Sequence, residues 1–159
     1  MVTSSQTGAV ILAREPCILA TITCDGGQIL KVTLSDASSF SYKIVNANPK
    51  LAKTIVDWLK GYAKGEDHPF PIDLKVDTFT DRVLDFLPRI PLGKVVAYQE
   101  VAKILGNPKG SRAVGNACRS NRYPLLIPCH RVVGSNGALG GYTPWLEIKK
   151  RLLKFEGVL

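Results

Sequence analysis

The chain has 159 residues, a length typical of one domain or of two small domains. Hydrophobic residues make up 45% of it and charged residues 21%, which indicates a core-forming protein and not a disordered or fibrous one. No stretch of about 18 apolar residues occurs, so we expect no membrane span. The first apolar stretch lacks a preceding basic region and is interrupted by Arg14, Glu15 and Pro16, so we expect no signal peptide and a cytoplasmic location.

The formal net charge of +8 is unevenly distributed. Residues 1–75 carry a net charge of +1, whereas residues 76–159 carry +7. Between positions 88 and 131, eight lysines and arginines are opposed only by Glu100. A positive block of this kind attracts polyanions, nucleic acid first. A solvated basic face without a partner would have the same composition.

The first part of the chain is predicted to form strands. Residues 9–13, 17–24 and 28–36 are rich in β-branched side chains, and residues 40–46 are a further candidate. The sequence Asp25-Gly26-Gly27 is typical of a hairpin turn. Asn48-Pro49 then opens a helix whose apolar residues recur at helical spacing. Glycine, proline and charge without periodicity mark residues 61–76 as a linker, and we predict an N-terminal domain over 1–74, an antiparallel sheet with one helix.

The second part, residues 75–159, is predicted to be mostly helical. Thr80 or Thr78 caps a helix that ends at the prolines near residue 90. Two short helices, 98–105 and about 111–119, are separated by a turn containing Gly106, which is the pattern of a helix-turn-helix. An ordinary pair of helices in a core would give the same pattern. A final helix is predicted from about 144 to 155.

The four cysteines, at positions 17, 24, 118 and 129, match no metal or redox spacing. The only other soft ligands are two histidines, so we expect no structural zinc. A disulfide between Cys17 and Cys24 is geometrically feasible across a hairpin, but disulfides are rare in the cytosol. Buried small hydrophobic residues are the favoured interpretation of Cys17, Cys24 and Cys118.

Cys129 is the candidate nucleophile, since it lies between Pro128 and His130 in an apolar segment that prolines keep from being helical. A nucleophilic thiol needs a neighbour that stabilises the thiolate or accepts its proton. Adjacent residues of an extended segment point to opposite sides, so a bridging water or a turn must connect the thiol to the imidazole. Glu156 is a candidate to orient that imidazole. A buried, inert thiol is the alternative interpretation.

Three segments of the second part carry a resemblance to a known family. IPCHRVV at 127–133 resembles the active-site motif of the O6-alkylguanine-DNA alkyltransferases, also called methylated-DNA--protein-cysteine methyltransferases. Residues 95–121 resemble that family's helix-turn-helix, and residues 140–157 its closing segment. The resemblance implies an α/β protein in two parts, an RNase H-like domain over 1–74 and a winged-helix-like domain with a helix-turn-helix over 75–159.

The resemblance also implies a role for individual residues. Cys129 is the acceptor of the alkyl group, His130 takes its proton through a water, and Glu156 polarises His130. Asn121 is similar to the hinge asparagine that braces the helix-turn-helix against the active-site segment. Tyr98 resembles the tyrosine that rotates the 3′ phosphate and stabilises the leaving guanine.

For the contacts with DNA, the family implies that Arg112 fills the gap left by an extruded guanine. The other residues implied to contact the duplex are Ser111, Ala113, Gly115, Arg119 and Tyr98. The residues implied to line the substrate pocket are Tyr142, Val132, Thr143 and Pro128, with Ile127 contributing to the lining. Extrusion is needed because the O6 atom of guanine lies inside a paired duplex.

The implied function is DNA repair by irreversible, stoichiometric transfer of an alkyl group from O6-alkylguanine to Cys129, with O4-alkylthymine as a second candidate substrate. The implied partner is double-stranded DNA containing alkylated guanine, and we expect a monomer without cofactor or metal. The alternative is a non-catalytic protein that binds and flags the alkylated base, although such proteins replace the acceptor cysteine. Pro144-Trp145 stands where many members have glycine, which predicts a narrower pocket or a stiffer lid, and either would disfavour bulky groups such as benzyl.

Overall fold

The computed structural model describes residues 3–4, 8–140 and 143–159. The chain divides into two compact units, Met1–His68 and Pro69–Leu159. This division falls inside the stretch 61–76 that the sequence marks as a linker. Within the described ranges, no helix combines the length and the apolar character needed to cross a membrane.

The first unit contains one five-stranded sheet with the order β1-β2-β5-β3-β4. Its strands are β1 (Thr3–Ser4), β2 (Val10–Ala13), β3 (Ile18–Gly26), β4 (Gln28–Asp36) and β5 (Phe40–Ala47). Alternate residues of β3 are buried, as the two-residue period of a strand requires when one face packs on a core. The hairpin predicted at residues 25–27 joins β3 to β4, with Gly26 at a φ of 60°.

The prediction of an antiparallel sheet was wrong, because the sheet is mixed. Strand β3 pairs antiparallel with β4 but parallel with β5. Asp36, at the end of β4, lies opposite Ile18, at the start of β3. Residues 37–39 therefore carry the chain past the start of β3 to its other edge, where β5 runs in the same direction as β3. The lengths of the strands and turns in the sequence predict where the chain reverses direction. They do not predict the edge of the sheet at which the next strand pairs.

Helix α1 (Pro49–Ala63) begins where the Asn48-Pro49 pair predicted. The side chain of Asn48 accepts a hydrogen bond from the amide of Leu51 at 2.8 Å, and proline occupies the first turn, where its missing N–H is not needed. The buried face of α1 includes Tyr62, whose ring lies edge-on to that of Phe40 with centroids 5.9 Å apart. Burial of this apolar face, more than intrinsic propensity, stabilises the helix.

The second unit is mostly helical. Its helices are α2 (Phe79–Phe86), α3 (Tyr98–Ile104), α4 (Ser111–Arg119) and α5 (Thr143–Phe155), with 3-10 turns at Leu87–Arg89 and Cys129–Arg131. Two short strands, β6 (Val96–Ala97) and β7 (Val132–Val133), pair in parallel. Thr78, and not Thr80, caps α2 through a reciprocal pair of hydrogen bonds with Asp81.

Helices α3 and α4 occupy the positions predicted for the helix-turn-helix. The turn between them contains Gly106 at a φ of 79°, a conformation that favours glycine. Both helices contribute to a core with α2 and the segment around Cys129. Its buried members are Val83, Leu84, Leu87, Ile90, Val101, Ala102, Val114, Ala117, Ile127, Cys129 and Val132. The RNase H-like and winged-helix-like assignments stay predictions.

Candidate functional site

A cavity of about 400 Å³ lies in the second unit. Residues from α3, α4, α5, the turn at Cys129–Arg131 and the loop before α5 line it. The lining residues are Tyr98, Ser111, Arg112, Gly115, Asn116, Cys118, Arg119, Cys129, Leu139, Gly140, Trp145 and Lys149. Three of these side chains are cationic and none is a carboxylate, so the cavity favours an electron-rich or anionic guest.

Helix α4 brings several of the predicted DNA-contacting residues to this cavity. Ser111, Arg112 and Arg119 are exposed, and all three line the cavity together with Gly115. Gly115 faces the ring of Tyr98, because a Cβ atom at that position would lie 3.9 Å from Tyr98 Cε1. Ala113 lies on the same helix but is not among the lining residues.

Asn121 connects the end of α4 to the segment that carries Cys129. Its Nδ2 donates to the carbonyl of Ile127 at 2.9 Å, and its Oδ1 accepts from the amide of Tyr123 at 2.9 Å. The loop closed by these bonds holds Leu125 buried at a φ of 76°, a conformation rarely adopted by a non-glycine residue. The observed contacts therefore give Asn121 a bracing position.

Cys129 is the first residue of its 3-10 turn and is 5% exposed. Its amide donates to the carbonyl of Ile127 at 2.8 Å. Burial raises the pKa of the Cys129 thiol, while a hydrogen bond with Asn121 and the charge of Lys149 oppose the shift. In isolation the thiol is thus held protonated, and a base is required to form the thiolate.

His130, next along the turn, is fully buried and bonds directly to Glu156. His130 Nε2 lies 2.6 Å from Glu156 Oε2, and Arg131 Nε donates to Glu156 Oε1 at 2.8 Å. Arg131 Nη1 also donates to the carbonyl of Ile90 at 2.8 Å, which anchors the group to the core. The sequence analysis expected either a turn or a bridging water to connect the Cys129 thiol with the His130 imidazole, and the turn is present. Among the described residues, the thiol and the imidazole make no direct hydrogen bond.

The charges of this group are set by burial and pairing. Burial lowers the pKa of His130 below its ordinary value, and the interactions with Glu156 oppose that shift. Burial raises the pKa of Glu156, but its interactions with His130 and Arg131 outweigh that effect and lower the pKa to about 2. An ionised Glu156 accepts the Nε2 proton of a neutral His130, which leaves Nδ1 as an acceptor. Within the described part of the chain, Nδ1 is a buried atom without a hydrogen-bond partner.

Tyr98 is the first residue of α3 and lines the cavity. Burial raises its pKa to about 12, and the negative charges that Cys118 and Cys129 can carry add to this shift. The phenol therefore stays protonated at neutral pH and can donate a hydrogen bond into the cavity.

The other predicted pocket residues have different positions. Pro128 and Val132 are buried and are not among the lining residues, and Val132 forms part of β7. Thr143 is the first residue of α5, and Tyr142 lies outside the described residues. The pocket roles of these four residues stay predictions.

Sequence reasoning missed several residues of the site. Cys118 and Lys149 line the cavity, and Arg131 binds Glu156. Trp145, which the sequence associates with a narrower pocket, lines the same cavity. A signal for Lys149 was available, since it lies seven residues before Glu156, the spacing of two helical turns, in the apolar stripe of the last helix. For Cys118, whose position depends on how the helices pack, we find no comparable signal.

The structure gives no metal centre among the residues it describes, since no group of three or more His, Cys, Asp or Glu side chains converges there. All four cysteines fall in the described part of the chain, and none forms a disulfide. Cys24 is buried as predicted, whereas Cys17 and Cys118 are half-buried.

We compared the chain with known protein families and with curated relatives, and the matches are named as methyltransferases of methylated DNA. The family model described as 6-O-methylguanine DNA methyltransferase, DNA binding domain, matches residues 78–158. The methylated-DNA--protein-cysteine methyltransferase of Archaeoglobus fulgidus is 39% identical over 145 residues, covering 86% of this chain and 91% of the relative. The protein of the same name from Methanosarcina acetivorans is 46% identical over 101 residues, covering 62% of this chain and 65% of the relative.

Among solved structures, the chain is similar to OGT of Mycobacterium tuberculosis in complex with DNA. The two share 28% identity at a TM-score of 0.65, over 98% of this chain and 90% of that one. The chain spans 65% of the length of the M. acetivorans relative and 53% of the length of the human and rat relatives of the same name.

Proposed function

The chain belongs to the 6-O-methylguanine DNA methyltransferase family, and from that membership together with the Cys129 site we propose that it repairs DNA by taking the alkyl group of O6-alkylguanine onto its own thiol. The observation that carries the proposal is the orphaned Nδ1 of His130, in the turn that begins with Cys129. A buried polar atom without a partner lowers the stability of the fold, so its retention calls for an explanation such as a catalytic role. We propose that this atom is the base that accepts the thiol proton through a bridging water.

The proposed reaction is a displacement at the alkyl carbon. The thiol proton of Cys129 passes through a bridging water to His130 Nδ1, and Glu156 stabilises the imidazolium that forms. The sulfur then forms a bond to the alkyl carbon as the bond from that carbon to O6 breaks. The electron pair of the broken bond goes to guanine, which takes up one proton from water. His130 returns its proton to water, so the proton lost by the thiol balances the proton gained by guanine.

Tyr98 is proposed to support the departure of guanine. Its phenol stays protonated because its pKa is raised to about 12, so it can donate a hydrogen bond to the base as negative charge develops. The resulting thioether has no easy reverse reaction. Each molecule is therefore expected to accept one alkyl group and no more.

The substrate is proposed to be duplex DNA with the damaged base rotated out of the stack. A base must leave the stack before a thiol in a cavity can reach it, which costs a few kcal/mol, less when the pair is already damaged. Arg112 is exposed on α4 at the rim of the cavity, where it can occupy the space that the base leaves. Arg119 and other cations of this half of the chain supply phosphate contacts independent of sequence.

The experiment that tests the proposal is intact-protein mass spectrometry after incubation with a duplex containing O6-methylguanine, followed by peptide mapping. A gain of one methyl group on the Cys129 peptide, with no further gain, is the expected result. Cys129→Ser is expected to abolish the gain while retaining binding to the duplex. Cys118→Ser is the matched control, since this second thiol of the same cavity is expected to be dispensable for transfer. Tight binding without any mass gain would instead indicate a protein that flags alkylated guanine.

A further inference from the structure

Asn116 lines the cavity, and the proposed reaction does not use it. The residue is exposed in the interior of α4, and within the described ranges no side-chain hydrogen bond involves its amide. Asparagine is one of the less favourable residues inside a helix, because its amide competes for the backbone. Neither helix formation nor an internal contact accounts for Asn116, so its partner is to be sought outside the protein.

Asn116 belongs to a polar stripe on α4. Arg112, Asn116 and Arg119 follow one another at spacings of four and three residues, which place them on one side of a helix. All three are exposed and line the cavity. The buried residues of the helix, Val114 and Ala117, lie on the opposite side. Along α4, the amide is therefore flanked by two arginines on the face that the proposed function turns towards DNA.

The amide of Asn116 can form hydrogen bonds that its two neighbours cannot. A guanidinium only donates, and its charge favours phosphate groups. A carboxamide carries one acceptor and one donor group side by side, which is the combination that the edges of bases present. Phosphate contacts position a protein on DNA, whereas contacts with base edges distinguish one base from another. The chemistry of Asn116 is that of a residue that contacts a base.

The position of Arg112 indicates which base this is. In the proposed function, Arg112 occupies the space that the extruded guanine leaves. The Cβ atoms of residues four apart on a helix lie about 5–6 Å apart, so the short side chain of Asn116 reaches only groups that border this space. The base opposite the lesion borders it, and extrusion leaves the donors and acceptors of that base unpaired. Because unpaired polar groups away from water are costly, a partner for them stabilises the extruded state.

We propose that Asn116 is a specificity-determining residue that forms hydrogen bonds with the pyrimidine opposite the extruded guanine. The inference rests on the proposed function in so far as a base leaves the stack. Cytosine presents an acceptor, N3, beside a donor, its N4 amino group, whereas thymine presents a donor, N3–H, beside an acceptor, O4. The amide of Asn116 matches either order after half a rotation about its last side-chain bond. Arg112 matches neither, because it has no acceptor.

The test uses Cys129→Ser, which keeps the cavity but has no thiol to alkylate. Its binding is measured to three duplexes that carry O6-methylguanine opposite cytosine, thymine or an abasic site. Adding Asn116→Leu, which keeps the shape of the side chain without donor or acceptor, is expected to lower the affinity for both pyrimidine duplexes about tenfold. The affinity for the abasic duplex is expected to stay the same, since it offers no base to contact.

Lys109→Ala, in the same Cys129→Ser background, is the control. Lys109 is an exposed cation in the turn before α4, and its loss is expected to weaken binding to all three duplexes equally, as for a phosphate contact. Leucine is a better helix former than asparagine, so we expect Asn116→Leu to fold, and Asn116→Ala gives the same comparison if it aggregates.

An equal loss of affinity on all three duplexes in Asn116→Leu, or no loss on any of them, would overturn the proposal. These measurements require no methyl transfer. A preference for pyrimidines that disappears in Asn116→Leu, together with no transfer by the wild type, would therefore count against the proposed function alone.

Discussion

His130 Nε2 lies 2.6 Å from Glu156 Oε2, and neither side chain is exposed to solvent. The second carboxylate oxygen binds Arg131, which in turn binds the carbonyl of Ile90. The pair thus joins the turn that carries Cys129 to the end of α5 and to the core. The pair fixes the orientation of the imidazole. We therefore expect both the stability of the second unit and the reactivity of Cys129 to depend on the negative charge of Glu156.

This buried group predicts that the second unit loses stability in acid. The pKa of His130 is lowered from 6.5 in the folded state, so its contribution is present above pH 6.5 and is lost as the pH falls towards the folded value. The pKa of Glu156 falls from 4.5 to about 2, so its contribution is lost between those values. A shift of that size corresponds to roughly 3 kcal/mol. Urea unfolding between pH 7 and about pH 2, followed by circular dichroism, measures this loss.

Glu156→Gln is expected to remove most of that pH dependence. It leaves Arg131 buried without its carboxylate, so the free energy of unfolding at pH 7 is expected to fall by about 3–5 kcal/mol. Glu147→Gln is the control, because Glu147 is exposed and its 3.7 Å contact with Lys150 is expected to contribute under about 1 kcal/mol. If the stability curves of the wild type and Glu156→Gln ran parallel below pH 5, the assignment of the acid sensitivity to Glu156 would be wrong.

Asn121→Ala is predicted to loosen the segment that presents Cys129. It removes the bonds to Ile127 and Tyr123, so the free energy of unfolding is expected to fall by about 1–3 kcal/mol. Transfer from O6-methylguanine is expected to slow even at temperatures where the variant is fully folded. Ser120→Ala is the control, since the Ser120 hydroxyl bonds only to the carbonyl of Ala117 among the described contacts. Equal transfer rates in the two folded variants would exclude a bracing role for Asn121.

Much of the local structure could be predicted because its causes are local. Asn48 before a proline fixed the start of α1, and glycines marked the hairpin after β3 and the turn before α4. The partnership of His130 with Glu156 was expected from the family resemblance, and the hydrogen bond between them is present.

The rest depends on packing between segments far apart in the chain. Strand β5 pairs in parallel with β3, and the sequence of neither strand alone shows at which edge of the sheet β5 will lie. The position of Lys149 in the apolar stripe of the last helix indicates its buried face, but only the fold shows that its ammonium lies between two carbonyls. The periodicity of the sequence shows on which face of a helix a charged residue lies. Whether that residue is buried depends on which other elements pack over this face.

Arg112→Ala is predicted to impair repair of duplex DNA much more than reaction with free O6-benzylguanine. Arg112 is exposed on α4 and lines the cavity, so its proposed role concerns the extruded base and not the thiol chemistry. A loss of at least about tenfold on duplex is expected, equivalent to the roughly 1.4 kcal/mol by which Arg112 would favour the flipped state. Lys109→Ala, an exposed cation in the turn before α4, is the control for general loss of charge. Equal losses on the two substrates would show that Arg112 does not act in extrusion.

Trp145→Ala is predicted to widen the range of alkyl groups that the site accepts. Trp145 lines the cavity and packs against the core of the second unit, so its ring occupies space that a large alkyl group would need. Removing it is expected to raise the ratio of benzyl to methyl transfer by at least about tenfold, since even one methylene changes discrimination in a pocket by about tenfold or more. Leu146→Ala is the matched control, because Leu146 is half-buried on the same helix but does not line the cavity. Rates measured on duplexes carrying either group give this ratio, and an unchanged ratio in folded Trp145→Ala would show that the indole does not limit alkyl size.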